Sequence, residues 1–169
     1  MNSKQVVAAI SAVVLLVILV YPALSTGTVS LQVHSAKVET ADHVYVTFTR
    51  IWAHQKGQAG SDAWKLVSNQ SQTVDLVSLE NSTKFLAKGQ VALSNYDSIR
   101  LEVSNVTWVF NKTTTNLPTE ASQLSTNLDF TVMAGKESSI TIVVSGRQEV
   151  VGGTKLFAAN LNATLTTNP

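Results

Sequence analysis

Three histidines, His34, His43 and His54, are the side chains best suited to chemistry in this 169-residue chain, and Asp42 stands beside one of them. Four such groups could be imagined around a metal ion, but zinc sites place their ligands at short fixed spacings such as H-E-x-x-H, and no such spacing occurs. His34 and His43 fall near the ends of alternating stretches, where an exposed polar residue is ordinary. The chain has no cysteine, which removes disulfides, thiolate ligands and a cysteine nucleophile together. No serine occupies a Gly-x-Ser-x-Gly elbow. Asp75 and Glu102 lie within strand-like stretches, with nothing to set them across a cleft as glycoside hydrolysis requires. Asp75 is expected to make a loop or edge contact, with Arg100 as its partner. Gly152-Gly153 lacks the following helix and Lys-Ser/Thr of a phosphate loop. The sequence predicts no enzyme, no metal and no cofactor.

Two chemistries remain, one covalent and one of recognition. Five Asn-x-Ser/Thr triplets begin at Asn69, Asn81, Asn105, Asn111 and Asn162, and each is an acceptor for an N-linked glycan if the chain is exported through a glycosylating pathway. Trp52, Trp64 and Trp108 could line a sugar-binding face, since aromatic rings stack on sugars. Trp108 shares the apolar phase of Val106 and Phe110, which assigns it to the core. Trp64 is the least committed of the three. The formal charge is +1, with Lys and Arg scattered, so nothing points to a nucleic-acid partner.

The element that decides where this chemistry happens is the apolar run at residues 6–20, which begins at Val6 and ends at Val20. Lys4 precedes it, and Ala23 and Ser25 follow with the small-x-small spacing of a signal peptidase site, which predicts cleavage after Ser25. A fifteen-residue helix covers about 22 Å against a hydrocarbon layer of about 30 Å, which favours a cleaved signal over a retained anchor. If kept, residues 6–20 would tie the chain to the membrane. If cut before the run, as in pilins, they would become the helix of a filament core. Every alternative places residues 26–169 outside the cytoplasm.

From Thr28 the apolar period becomes two, as in half-buried strands. Val29, Leu31 and Val33 alternate with polar residues, then Val44, Val46 and Phe48, then Ile99, Leu101 and Val103. Val106, Trp108 and Phe110 are out of phase with the preceding set, so a bulge near Ser104-Asn105 is required. Residues 111–127 show no clear period and read as a long polar loop. Leu128, Phe130 and Val132, then Ile140, Ile142 and Val144, alternate around a turn at Ala134-Gly135-Lys136. Gly152-Gly153 closes a hairpin into a last strand bearing Phe157, Ala159, Leu161, Ala163 and Leu165 on one face. Eight or nine short strands with polar turns predict an all-β fold, a single antiparallel β-sandwich of immunoglobulin-like or transthyretin-like type after an N-terminal hydrophobic helix, with a closed barrel as the alternative.

The run from Val44 to His54, the pair Trp64 and Leu66, the run from Val74 to Leu79 and the run from Tyr96 to Val103 resemble a family of exported prokaryotic β-sandwich domains of unknown function, over about Gly27 to Leu165. Ser35-Ala36-Lys37 stands where that family often has an acidic Asp-Ala-Pro turn, so no role tied to that turn carries over. The resemblance implies a fold and an export route but no reaction. More loosely the chain is similar to subunits of archaeal threads, glycosylated extracellular filaments joined by donor strands. That likeness implies that residues 28–34, with Val29, Leu31 and Val33 as the groove-filling side chains, are donated to the next copy. The same strand pairing within its own domain is the alternative. The functional expectation is a non-enzymatic, glycosylated surface protein, extracellular, partnered by its own copies or by other envelope proteins. A membrane-anchored monomer binding carbohydrate or another envelope protein is the alternative.

Overall fold

The computed structural model describes residues 25–38 and 41–166. The leader, with Val6 and Val20, lies outside them, and among the described residues no helix is long and apolar enough to cross a membrane. Ten strands follow one another: β1 (Thr26–Ser35), β2 (His43–Gln55), β3 (Trp64–Ser68), β4 (Gln72–Asp75), β5 (Lys84–Ala92), β6 (Ser94–Phe110), β7 (Thr113–Leu117), β8 (Gln123–Val132), β9 (Glu137–Val151) and β10 (Thr154–Thr166). Among the described residues, only two single 3-10 turns interrupt them, at Ser61–Ala63 and Val77–Leu79.

The strands form two packed sheets, one of four in the order β10-β9-β1-β5 and one of six. In the second, β2 and β6 pair along most of their length. β3 and β4 share the free side of β2, while β7 and β8 share that of β6. Alternation makes each sheet apolar on one face, and the two apolar faces meet. Val29, Leu31, Val33, Ile140, Ile142 and Val144 face Val44, Val46, Phe48, Ile99 and Leu101, and every one of them is essentially inaccessible. Tyr96 lies flat against Phe130 at 5.2 Å and donates its hydroxyl to the Ala92 carbonyl at 2.8 Å, so a large ring is buried without an orphaned oxygen.

The expected all-β sandwich is present, with one correction to its wiring. β1 pairs antiparallel with β5 but parallel with β9, so the first sheet is mixed rather than antiparallel. Parallel neighbours need a long crossover, and here all of β2 to β8 supplies it. A further correction concerns residues 111–127, read as a loop. Asn111 and Lys112, with φ of 48° and 62°, form the tight turn of a β6–β7 hairpin, and both β7 and the start of β8 lie in this stretch. Threonine-rich edge strands have few apolar residues to alternate, so their period is invisible. The strands are also longer than expected, β6 reaching seventeen residues.

The bulge expected near Ser104-Asn105 is there, and it is matched. β6 slips one residue at Ser104, β2 slips one at Thr49, and the register lost at the first is recovered at the second. Both strands therefore change phase at the same level. Val44, Val46 and Phe48 hand the inner face to Ile51 and Ala53, just as Val106 and Trp108 hand it to Val103, Leu101 and Ile99. Phe110, the last residue of β6, pairs with Thr113 and is 48% exposed, which corrects its assignment to the core; Trp108 is buried as expected.

The two sheets touch along both seams. At one, Gly89 of β5 comes so near β3 that a Cβ there would lie 1.8 Å from the Val67 carbonyl oxygen. At the other, backbone bonds from Phe157 N to the Pro118 carbonyl and from Glu120 N to the Phe157 carbonyl, at 2.9 and 3.0 Å, tie β10 to the β7–β8 connection.

Candidate functional site

The phase change in β2 turns Arg50, Trp52 and His54 to the outer face of the six-stranded sheet, while Ile51 and Ala53 point inward. Register then sets their neighbours in rows. His54 lies between Trp64 and Ser98, and Ser98 faces Asn127. Trp52 lies between Leu66 and Arg100, and Arg50 faces Glu102. A second bulge, at Asp97, leaves that residue unpaired and brings its carboxylate to this face.

The side chains hold one another. His54 Nδ1 and Asp97 Oδ1 are 2.7 Å apart, and the imidazole packs at 60° to the Trp64 indole with centroids at 4.8 Å. The Arg100 guanidinium lies 3.7 Å over the Trp64 ring, a cation–π contact, and its Nη1 donates to Gln123 Oε1 at 3.1 Å. Glu102 accepts from Trp52 Nε1 at 2.9 Å and from Arg50 at 2.7 Å. Lys56 Nζ donates to Asp129 Oδ1 at 2.7 Å, and that bond and charge raise the lysine pKa above its ordinary value. The half-buried Trp64 ring stands between two open depressions. The larger, about 570 Å³, is lined by His54, Lys56, Asp97, Ser98, Asn127, Leu128 and Asp129 as well as Trp64. The smaller, about 340 Å³, has Trp52, Gly60, Ser61, Arg100, Glu102 and Gln123.

This arrangement suits recognition. Its carboxylates are engaged by a lysine, an arginine, an indole and an imidazole, and what it offers to solvent is aromatic surface ringed by donors and acceptors. The three histidines have three separate partners, Ser82 O for His34, Asp75 for His43 and Asp97 for His54. Among the described residues no group of three or more His, Asp and Glu is placed to hold a metal ion. Asp75 does not reach Arg100 as expected: it accepts from His43 and from the backbone N–H groups of Val44 and Val77, at the start of β2 and the turn after β4.

The five triplet asparagines are all exposed: Asn69 between β3 and β4, Asn81 in the turn before β5, Asn105 at the β6 bulge, Asn111 at the β6–β7 turn and Asn162 on the edge strand β10. Ser25, the expected cleavage point, directly precedes β1. Val29, Leu31 and Val33 are wholly buried in the middle of the four-stranded sheet, paired on both sides within this chain. Of the outer-face cluster, Trp52, Trp64 and His54 stood out in the sequence, while Arg50, Asp97 and Asn127 did not, although a signal exists. Arg50, Trp52 and His54 occupy the solvent phase of β2, where threonine and serine are ordinary, but the phase is legible only once the Thr49 slip is known.

The sequence model of one family, described as Domain of unknown function (DUF4382), matches residues 26–157. A search of curated proteins finds no match to the chain.

Proposed function

This chain belongs to the family described as Domain of unknown function (DUF4382), and on that premise we propose that it is an exported, non-enzymatic, N-glycosylated surface protein that assembles with its own copies into an extracellular filament by lending β1 to a neighbour. The observation that carries this reading is the place of β1. It is the first strand of the domain, yet it lies in mid-sheet between β5 and β9. Withdrawing it would leave two unpaired strand edges and an open core above Ile140, Ile142 and Val144, a costly state that only a matching strand relieves. The β1 of a second copy makes the same hydrogen bonds and fills the same apolar sites, so exchange changes the connectivity and not the contacts. Cleavage after Ser25 would set β1 at a free end. The exposed asparagines would carry their glycans on turns and outer faces, clear of that slot.

A second reading has an observation of its own. β1 pairs on both sides within this chain, which fits a closed surface domain, held by residues 6–20 or released, that binds envelope carbohydrate or another envelope protein. One experiment separates the two. Thr28 of β1 and Gln90 of β5 are register partners, so their Cβ atoms are about 4.5–5.5 Å apart, close to disulfide reach. The chain has no other cysteine. After mild oxidation of surface material carrying Thr28→Cys and Gln90→Cys, a reducible ladder of covalent oligomers is expected. Internally cross-linked monomer alone would rule out exchange.

A further inference from the structure

We propose that the outer face of the six-stranded sheet is a binding site for neutral oligosaccharide, with one sugar ring seated in the larger depression beside Trp64. This rests on the reading of the chain as a surface protein and is independent of β1 exchange.

Four observations converge on that ligand class. First, the depressions, about 570 and 340 Å³, fall in the ~300–1,000 Å³ range of small-molecule sites. They share a wall, the Trp64 ring, as adjacent subsites for linked units would. Second, that ring is held in place before any ligand arrives. Arg100, which lines only the smaller depression, covers it at 3.7 Å, and His54 packs against it at 60°. A fixed aromatic surface in an open hollow suits the C–H face of a pyranose, which needs a flat apolar partner and brings little apolar area of its own.

Third, the polar groups beside the ring are mixed and electrically balanced. Lys56 pairs with Asp129 and Arg50 with Glu102, each at 2.7 Å, and Arg100 and Asp97 add one charge of each sign to the same face. An anionic polymer would need unbalanced cations, and an apolar ligand would strip water from these groups without replacing its hydrogen bonds. A polyol meets both donors and acceptors, since each hydroxyl can do either. Capacity is left over: Lys56 has three N–H groups of which Asp129 takes one, and Asn127 accepts from Ser98 through Oδ1, leaving its amide N–H groups for other acceptors. Fourth, Arg100 lines the smaller depression while its Nε is buried with no hydrogen-bond partner among the described residues, an unmet donor on the guanidinium that covers Trp64.

The test uses the folded protein against an array of neutral glycans, with a sulfated and a carboxylated polysaccharide alongside, followed by titration of the best neutral binder with tryptophan fluorescence as the readout. Binding by at least one neutral glycan, with Trp64→Ala weakening it tenfold or more and Asn127→Ala several-fold, is expected. Because Trp64→Ala could loosen β3, its urea midpoint is compared with that of the original, and Asp129→Ala, on an exposed side chain, serves as the second variant. Phe85→Ala, an exposed aromatic away from this face, should leave binding unchanged. Absence of binding to every neutral glycan, preference for the charged polysaccharides, or full binding by both Trp64→Ala and Asp129→Ala would overturn the proposal. None of these results bears on the cysteine ladder, so the two readings fail separately.

Discussion

Replacing Gly89 by alanine is the smallest change that should do the most damage. The new methyl would lie 1.8 Å from the Val67 carbonyl oxygen and 2.8 Å from its carbon, where ordinary contact begins at 3.4 Å. β5 and β3 must therefore part by roughly 1.6 Å along the seam. The obstacle is backbone, which cannot swing aside as a side chain does. Overpacking a well-filled site costs about 1–3 kcal/mol, and a backbone obstacle puts this one near ~3 kcal/mol. With a slope of about 2 kcal/mol per molar urea, the midpoint falls by about 1.5 M. At roughly 4 °C per kcal/mol, the melting temperature falls by about 12 °C. Two controls isolate the cause. Gly146→Ala meets the Phe157 ring at 2.7 Å, a side chain rather than backbone, and Gly57→Ala meets nothing within 4 Å but must hold a φ of 78°. Each should cost less, about 1–2 kcal/mol for the left-handed backbone at Gly57. Urea titration followed by tryptophan fluorescence measures all three. A Gly89→Ala midpoint within ~0.3 M of the original, or one no lower than Gly57→Ala, would show that the seam is not the tight closure inferred.

Asp75→Ala removes the acceptor for the Val44 and Val77 N–H groups and the partner of His43, and should cost about 2–3 kcal/mol. Asp75→Asn, which keeps one acceptor oxygen, should lose about half of that in the same titration. Tyr96 has its pKa raised by burial, so its neutral form is favoured in the folded state. The fold keeps that stability below the unfolded value near 10 and loses it as pH rises through the higher folded value. Tyr96→Phe should cost about 1 kcal/mol at neutral pH through loss of the bond to Ala92 O, and should flatten the alkaline limb of a stability-versus-pH curve. An unchanged limb would place the alkaline sensitivity elsewhere.

Some of this architecture was open to reading before any coordinates. The sets Val29-Leu31-Val33, Ile99-Leu101-Val103 and Ile140-Ile142-Val144 have period two and bury one face, and period two is a local property of the chain. The change of phase between Val103 and Val106 required a bulge for the same reason. The exposed triplets were also legible, since asparagine and serine or threonine sit on turns and solvent phases. Other features were not, because they depend on which strands become neighbours. Alternation is identical in parallel and antiparallel pairs, so the parallel partnership of β1 and β9 left no mark in the sequence. The slip in β2 at Thr49 has meaning only against the slip in β6 at Ser104.

The candidate site belongs to that second kind. Trp52, Trp64, Arg100 and Asn127 come from four strands, and only the register between those strands sets them on one surface. By itself the sequence determined a cysteine-free all-β body and most of the side chains that would be buried, because each follows from composition or from spacing along one segment. The tertiary structure alone decided that the first strand sits in mid-sheet, that Gly89 closes a seam and that the tryptophans of β2 and β3 share a face, because contacts between distant segments are fixed by packing and not by local period.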